Sequence, residues 1–306
     1  MSQAAADDYP SKPITLIVPF PAGGGVDAIG RIVGDKLSAA LGQPVIIDNR
    51  GGAAGVIGTR FTARAAPDSY TLVMATSGTI AIDPNLYVNP GYHTLQDLAP
   101  IGLISTTPIV LMAHPSAPEQ SLAALIASAK QNPGKLNIGT PPPGTSANLG
   151  AELLKSLANI NFTIVTYRGT GPLTTDLLGG HVKLGLNVLA PAMSNLKSGT
   201  LKALAVLAAK RSSHLPEVPT SAEAGLPGFE SGLNYGVLAP IGTPRPIIDR
   251  LNAALRAGID TPDVRARIAA DGGDPMPSTP EEYAADIKKE DAKWGTLIRK
   301  LGLKVE

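Results

Sequence analysis

An α/β fold, with mostly parallel sheets covered by helices on both faces, is what this sequence predicts, and three observations predict it. Short apolar, β-branched runs recur along the chain; each breaks into a glycine- or proline-rich turn; and helical stripes follow. Alternating strands and helices place neighbouring strands parallel through right-handed crossovers. The chain has 306 residues, more than one ordinary domain, so two lobes of roughly 100 to 200 residues each are expected.

The elements follow in order. Ile14 to Pro19 (ITLIVP) reads as a buried strand, then comes FPAGGG, then a stripe of Val26, Ile29, Val33, Leu37, Ala40 and Leu41 closed by Gly42. The same grammar returns at Val45 to Ile47 before DNRGGAAG, at Tyr70 to Ala75 before TSGT, and at Leu136 to Gly139 before TPPPGTSAN. It returns again at Phe162 to Tyr167 before RGTGP and at Val182 to Asn187 before VLAPAM. Ala99 to Pro118 and Arg211 to Phe229 read as irregular, proline-punctuated stretches that carry the chain out of one lobe and back. The expected division is therefore a discontinuous first lobe, residues 9–105 and 232–306, with a second lobe, 106–231, inserted. Arg245 to Gly258, Pro262 to Ala270 and Pro280 to Leu301 read as helices with proline at or near each start, suited to wrapping the first lobe.

Composition narrows the function. With 26 basic and 25 acidic residues the formal net charge is +1, and no basic block or acidic tail suggests nucleic acid. No window reaches the ~18 consecutive apolar residues of a membrane span. The start, MSQAAADDYP, resembles what remains after an export signal is cleaved. The chain has no cysteine, which excludes thiolate nucleophiles, disulfides and cysteine metal sites. No G-x-S-x-G elbow, phosphate loop, H-E-x-x-H or acidic and histidine cluster at metal spacing occurs, so neither catalysis nor a metal or other cofactor is expected. AGGGVDAIG does not space its glycines as a dinucleotide fingerprint. Aromatics make up 4%, which disfavours sugar, and the lone Trp294 is expected in the core.

In open α/β sheets ligands bind beyond the carboxyl ends of the strands, where every one of these turns falls. A helix N-terminus there presents unpaired N–H groups and partial positive charge, and glycine lets a ligand approach the backbone. The result is an anion cradle built from amides, and one cradle in each lobe suits a small dicarboxylate. Each turn has a structural reading beside the functional one. A glycine turn can simply be a tight connection, the TSGT hydroxyls can cap the next turn, and Thr145 or Ser146 can cap the helix expected from Asn148 to Leu157. Arg168 in YRGTGP is the cation of the second lobe's loops, and solvent exposure is its plain alternative.

The motifs YPSKPITLIVPFPAGGGVD, VIIDNRGGAAGVIG, YTLVMATSGTIAIDPNLY, YRGTGPLTTDLLGGHVKLGLN and LKALAVLAAKRSSHLPEVPTSAEAGLPGFE, in this order, resemble the Bug-type solute receptors of tripartite tricarboxylate transport systems. The likeness runs from about Tyr9 to the C-terminal helices. It implies a two-lobed type II periplasmic binding protein fold with two crossover segments, a monomer that closes on a carboxylate and delivers it to a membrane permease without turnover. It also implies that one carboxylate is held by the loop Phe20, Pro21, Ala22, Gly23 and Gly24, with Asp27 just beyond, together with Gly144, Thr145, Ser146 and Asn148, partly through water. Further contacts are implied for Ser77, Thr79, Thr170 and Asn187.

The chain departs from many relatives at two of these places. Asn148 stands where they have histidine, and Asn187 where they have an aspartate suited to a ligand ammonium. The expected ligand therefore lacks an amino group: an aliphatic or aromatic dicarboxylate or a hydroxylated relative. The alternative for Asn187 is that it satisfies backbone groups at a strand end. An α/β enzyme acting on a small carboxylate, an amino-acid receptor of the same family and a nucleotide-binding module stay open at this point.

Overall fold

The structure is a computed structural model and describes residues 9–306, so the first eight residues of the polar start lie outside the described residues. The chain forms strands β1 (Ile14–Val18), β2 (Val45–Asn49), β3 (Thr71–Thr76), β4 (Leu98–Ala113), β5 (Asn137–Thr140), β6 (Thr163–Thr166), β7 (Leu184–Val188), β8 (Lys202–Val206) and β9 (Gly232–Pro240). Two compact units divide it. The first runs to Thr106 and resumes over Asn234–Ile268 and Pro275–Glu306; the second holds Thr107–Leu233 and Ala269–Asp274. Ala269–Asp274 groups with the second unit, although its sequence position lies among the C-terminal helices.

In the first unit β1 lies between β2 and β3, parallel to both, with Leu16 opposite Ile47 and Leu72. Its apolar run has no alternation, and Ile14, Leu16, Ile17 and Val18 are all fully buried, as a central strand covered on both faces requires. β9 closes on β3 in antiparallel register, which puts Tyr235 opposite Thr76. Helix Gly25–Leu41 buries Ile29, Val33, Leu37 and Leu41 and stops at Gly42, whose left-handed conformation (φ 73°) returns its N–H to the Ser38 carbonyl. Helix Pro280–Leu301 opens on a reciprocal cap between Thr279 and Glu282. It buries Tyr283 and Trp294 completely, with the indole N–H donating to Glu290 at 2.8 Å.

In the second unit β5 runs parallel to β6 and β7, while β4 is antiparallel to β7 on one side and β8 on the other. Val110, Met112, Leu173, Leu177, Leu189 and Val206 form part of its core. Of the stretch read as irregular, Ala99 to Pro118, all but the last five residues belong to the sixteen-residue strand β4 (Leu98–Ala113). Its prolines suggested a loop, but proline is excluded from a strand only where a ladder hydrogen bond is asked of it. The surrounding run of Ile, Leu, Val and Thr is almost wholly buried, and that burial decides the conformation.

Parallel β1, β2 and β3 release PFPAGGG, NRGGAAG and TSGT at one edge of the first unit; β5, β6 and β7 release TPPPGTSAN, YRGTGP and VLAPAM at one edge of the second. No helix of the described residues is long and apolar enough to cross a membrane.

Candidate functional site

The PFPAGGG loop is shaped by its glycines and tied down by one carboxylate. Gly23 takes φ 86°, a conformation glycine adopts without penalty. Its N–H donates to Asp27 Oδ2 at 2.8 Å, and Arg31 Nε reaches the same oxygen at 3.0 Å. Asn49 Nδ2 donates to Asp27 Oδ1 at 2.9 Å and to the Phe20 carbonyl at 3.1 Å. Burial pushes the Asp27 carboxyl up, but the hydrogen bonds from Arg31, Gly23 and Asn49 outweigh it and hold the group below the usual aspartate range. Asp27 therefore faces its own loop and positions it.

The amides of the following helix start remain. Gly24 has no side chain to cap with, and the first helical bond is that of Ala28 N–H to the Gly24 carbonyl, 3.0 Å. The N–H groups of Gly25 and Val26 precede that bond and have no intrahelical acceptor. Pro21, Ala22, Gly24 and Gly25 are exposed. Phe20, half-buried, lays its ring 3.2 Å from the place a side chain on Gly55 would occupy, so the NRGGAAG loop packs against the first.

After β3, Ser77 and Thr79 behave differently. Thr79 is fully buried; its hydroxyl accepts from Thr76 N–H at 3.0 Å and donates to the Thr76 carbonyl at 3.1 Å. Both bonds turn back to the end of β3, and they occupy the side chain. Ser77 Oγ is buried too but accepts only from a backbone, the Asn234 N–H at 2.8 Å. Tyr235, the next residue, brings its hydroxyl to 3.7 Å from the position of a side chain on Gly25. Register and contact thus gather the Gly25 amides, Ser77 and Tyr235 in the first unit.

In the second unit Thr145 is the cap of helix Ser146–Ala158, which starts two residues before the expected Asn148: its hydroxyl accepts from Asn148 N–H at 3.3 Å and donates to the Pro142 carbonyl at 2.7 Å. Gly144 supplies the turn, at φ 85°. Ser146 Oγ is buried with no hydrogen-bond partner, a polar atom left over in a fold that satisfies most others. Asn148 Nδ2 donates to Thr140 Oγ1 at 3.0 Å. Arg168 is exposed. Helix Thr170–Leu178 begins at Gly169 without a side-chain cap, and a side chain on Gly169 or Gly171 would meet nothing within 4 Å. Its first amides are a second open cradle.

Asn187 is completely buried and its polar atoms have protein partners. Nδ2 donates to the Thr170 carbonyl and Thr174 Oγ1, each at 3.2 Å, and Oδ1 accepts from Val188 N–H at 2.9 Å. These distances favour the reading in which Asn187 satisfies groups at a strand end and anchors the preceding helix, Thr170–Leu178. A groove of about 620 Å³ in this unit runs along β8, lined by Lys202, Leu204, Glu217 and Pro219 among others, and includes none of the candidate residues.

Sequence reasoning missed Asn49, Asn234 and Tyr235. Asn49 lies in DNRGGAAG, where nothing singles it out from its neighbours. Asn234 and Tyr235 sit on β9, where neither a motif nor a glycine turn marks them.

Units of this architecture, with uncapped helix starts at the strand ends, are suited to holding a small anion. The chain belongs to the tripartite tricarboxylate transporter family receptors, whose family model matches residues 29–303. It is 38% identical to Protein BugT of Bordetella pertussis over 303 residues, 99% of this chain and 93% of that protein. Among solved structures it is similar to the periplasmic binding protein BugD, 34% identical with a TM-score of 0.81 over 97% of this chain and 100% of that one. It is also similar to R. palustris Rpa4515 with adipate, 33% identical with a TM-score of 0.83 over 97% and 99% of the two chains. MatC from Rhodopseudomonas palustris with bound malate is 32% identical, with a TM-score of 0.81 over 95% and 100%. The fold is that of periplasmic binding proteins, and the family and these neighbours are solute-binding receptors rather than enzymes.

Proposed function

We propose that this protein is a periplasmic receptor that captures, as a monomer, a small dicarboxylate lacking an amino group and presents it to the permease of a tripartite tricarboxylate-type transporter. One observation carries the reading. Each unit places uncapped main-chain amides at the carboxyl ends of parallel strands, at Gly25–Val26 and at Thr170–Gly171, where glycine keeps the approach clear. Ser77 and the partnerless Ser146 hydroxyl lie on the same two sets of loops and supply further donors. One ligand carboxylate per open helix start is the stoichiometry these donors suit.

The absence of an ammonium from the ligand rests on acids rather than on Asn187. On these loops Asp27 is committed to Gly23, Arg31 and Asn49, and Asp48 is paired with Arg50 at 2.7 Å. Neither is left to receive a cation. Adipate and malate, the molecules bound by two relatives, are dicarboxylates of this description.

A thermal-shift panel of mono-, di- and tricarboxylates, amino acids, sugars and nucleotides tests the reading. A ligand at about 100 times its dissociation constant adds roughly 2.7 kcal/mol to folding. Dicarboxylates are expected to raise the melting temperature most. A larger shift with aspartate or glutamate, or with nucleotides, would refute the ligand class.

A further inference from the structure

Thr106 is the last residue before the chain leaves the first unit, and Asn234 is the first after it returns. The two are joined side chain to side chain, Thr106 Oγ1 donating to Asn234 Oδ1 at 2.7 Å. The other end of the same amide donates to Asp286 Oδ2 on helix Pro280–Leu301, at 3.2 Å. The main-chain N–H of Asn234 donates to Ser77 Oγ at 2.8 Å. One residue therefore holds the loop after β3, the outgoing strand and the C-terminal helix together.

The chemistry of that junction has a direction. A serine hydroxyl whose oxygen already accepts from a fixed N–H has its own proton left as a donor. Ser77 is 1% exposed, so its orientation is set by Asn234 and not by solvent. Tyr235, the next residue on β9, carries the strand on to Gly25. An apolar residue at position 234 would strip the Thr106 hydroxyl and the Asp286 carboxylate of this partner, so the polar triad is held because all its members are paired.

We propose that Asn234 is a positioning residue that turns Ser77 into a donor for a ligand carboxylate and couples it to the crossover at Thr106. A displacement of Ser77 on binding is then felt at both points where the chain leaves and re-enters the unit. The coupling rests on the carboxylate reading of the site only for what Ser77 binds.

The test uses the full chain with Thr106→Val, which removes the tie but keeps the Asn234 N–H bond to Ser77, and Thr106→Ser, which restores the hydroxyl. In ligand-free protein, hydrogen exchange over residues 74–80 is expected to rise about tenfold in Thr106→Val, the worth of one buried hydrogen bond, and to match the parent in Thr106→Ser. With adipate and malate as probes, Thr106→Val is expected to raise Kd about tenfold while the ligand-free melting temperature stays within about 2 °C. Unchanged exchange over 74–80 would overturn the coupling whether or not either acid binds. A uniform rise in exchange across the unit with a lower melting temperature would overturn it too, leaving a purely structural tie. If exchange responds locally and neither acid binds the parent protein, the coupling stands and the carboxylate reading falls.

Discussion

The Asp27 carboxylate accepts the N–H of Gly23 at 2.8 Å, so an acid of the chain closes the loop that offers its neighbouring amides to a ligand. Removing it should free Gly23 from its left-handed turn and scatter the Gly25 and Val26 amides. Hydrogen bonds to charged groups are worth about 1.5–3 kcal/mol, so Asp27→Ala is predicted to weaken dicarboxylate binding by roughly ten- to a hundredfold in isothermal titration. Because the folded carboxyl is held below its ordinary value, this contribution is fully present above the unfolded aspartate pKa and is lost only as pH falls through the lowered folded one. The gap between variant and parent should therefore be constant across neutral pH and shrink in acid. Equal affinity of the two proteins would show that the tie does not shape the cradle.

Asp83 is the opposite case. It is fully buried, and neither carboxylate oxygen has a hydrogen-bond partner. Burial pushes the carboxyl well above the usual range, and no basic group offsets it. With the folded pKa raised above the unfolded one, the stability linked to this group is fully present below the unfolded value, 3.8, and is lost as pH rises through the folded value. Asp83→Asn is predicted to stabilise the protein near neutrality, by on the order of 1–3 kcal/mol, with the gain fading toward about pH 4. Urea melts across that range measure it. Parallel stability curves for parent and variant would contradict the assignment.

Asn187 anchors a helix. Substituting aspartate removes the two bonds that Nδ2 gives to the Thr170 carbonyl and Thr174 Oγ1 and sets a buried negative charge against that carbonyl. Asn187→Asp is predicted to lower the melting temperature by several degrees, as a loss of about 1–3 kcal/mol does, and to weaken dicarboxylate binding because the Thr170 amides move. Unchanged stability and affinity together would remove Asn187 from both roles.

What could be read from the letters follows from where the information is local. β1, helix Gly25–Leu41 and the glycine turns were legible because each is fixed by its own apolar period and its own φ requirement at Gly23, Gly42 and Gly144. β4 was not, because its conformation is set by burial between partners remote in sequence, and its prolines spoke locally for a loop. The amide cradles were legible for the same local reason as the turns. The inward commitment of Asp27 was not, and those of Thr79 and Asn187 stood only as alternatives, since each depends on which way a side chain points once the chain has folded. Tyr235 and Asn234 reach the site only through the pairing of β9 with β3, a relation no single segment encodes.

The account stands on main-chain amides at the open helix starts as the groups that hold a ligand carboxylate. Nitrogen-labelled protein titrated with adipate and followed by amide proton–nitrogen correlation spectra tests this most directly. The prediction is a saturable change concentrated at Gly24, Gly25 and Val26 in one unit and at Ser146, Ala147, Thr170 and Gly171 in the other. No change at these amides, or changes confined to the groove along β8 near Lys202 and Glu217, would contradict it.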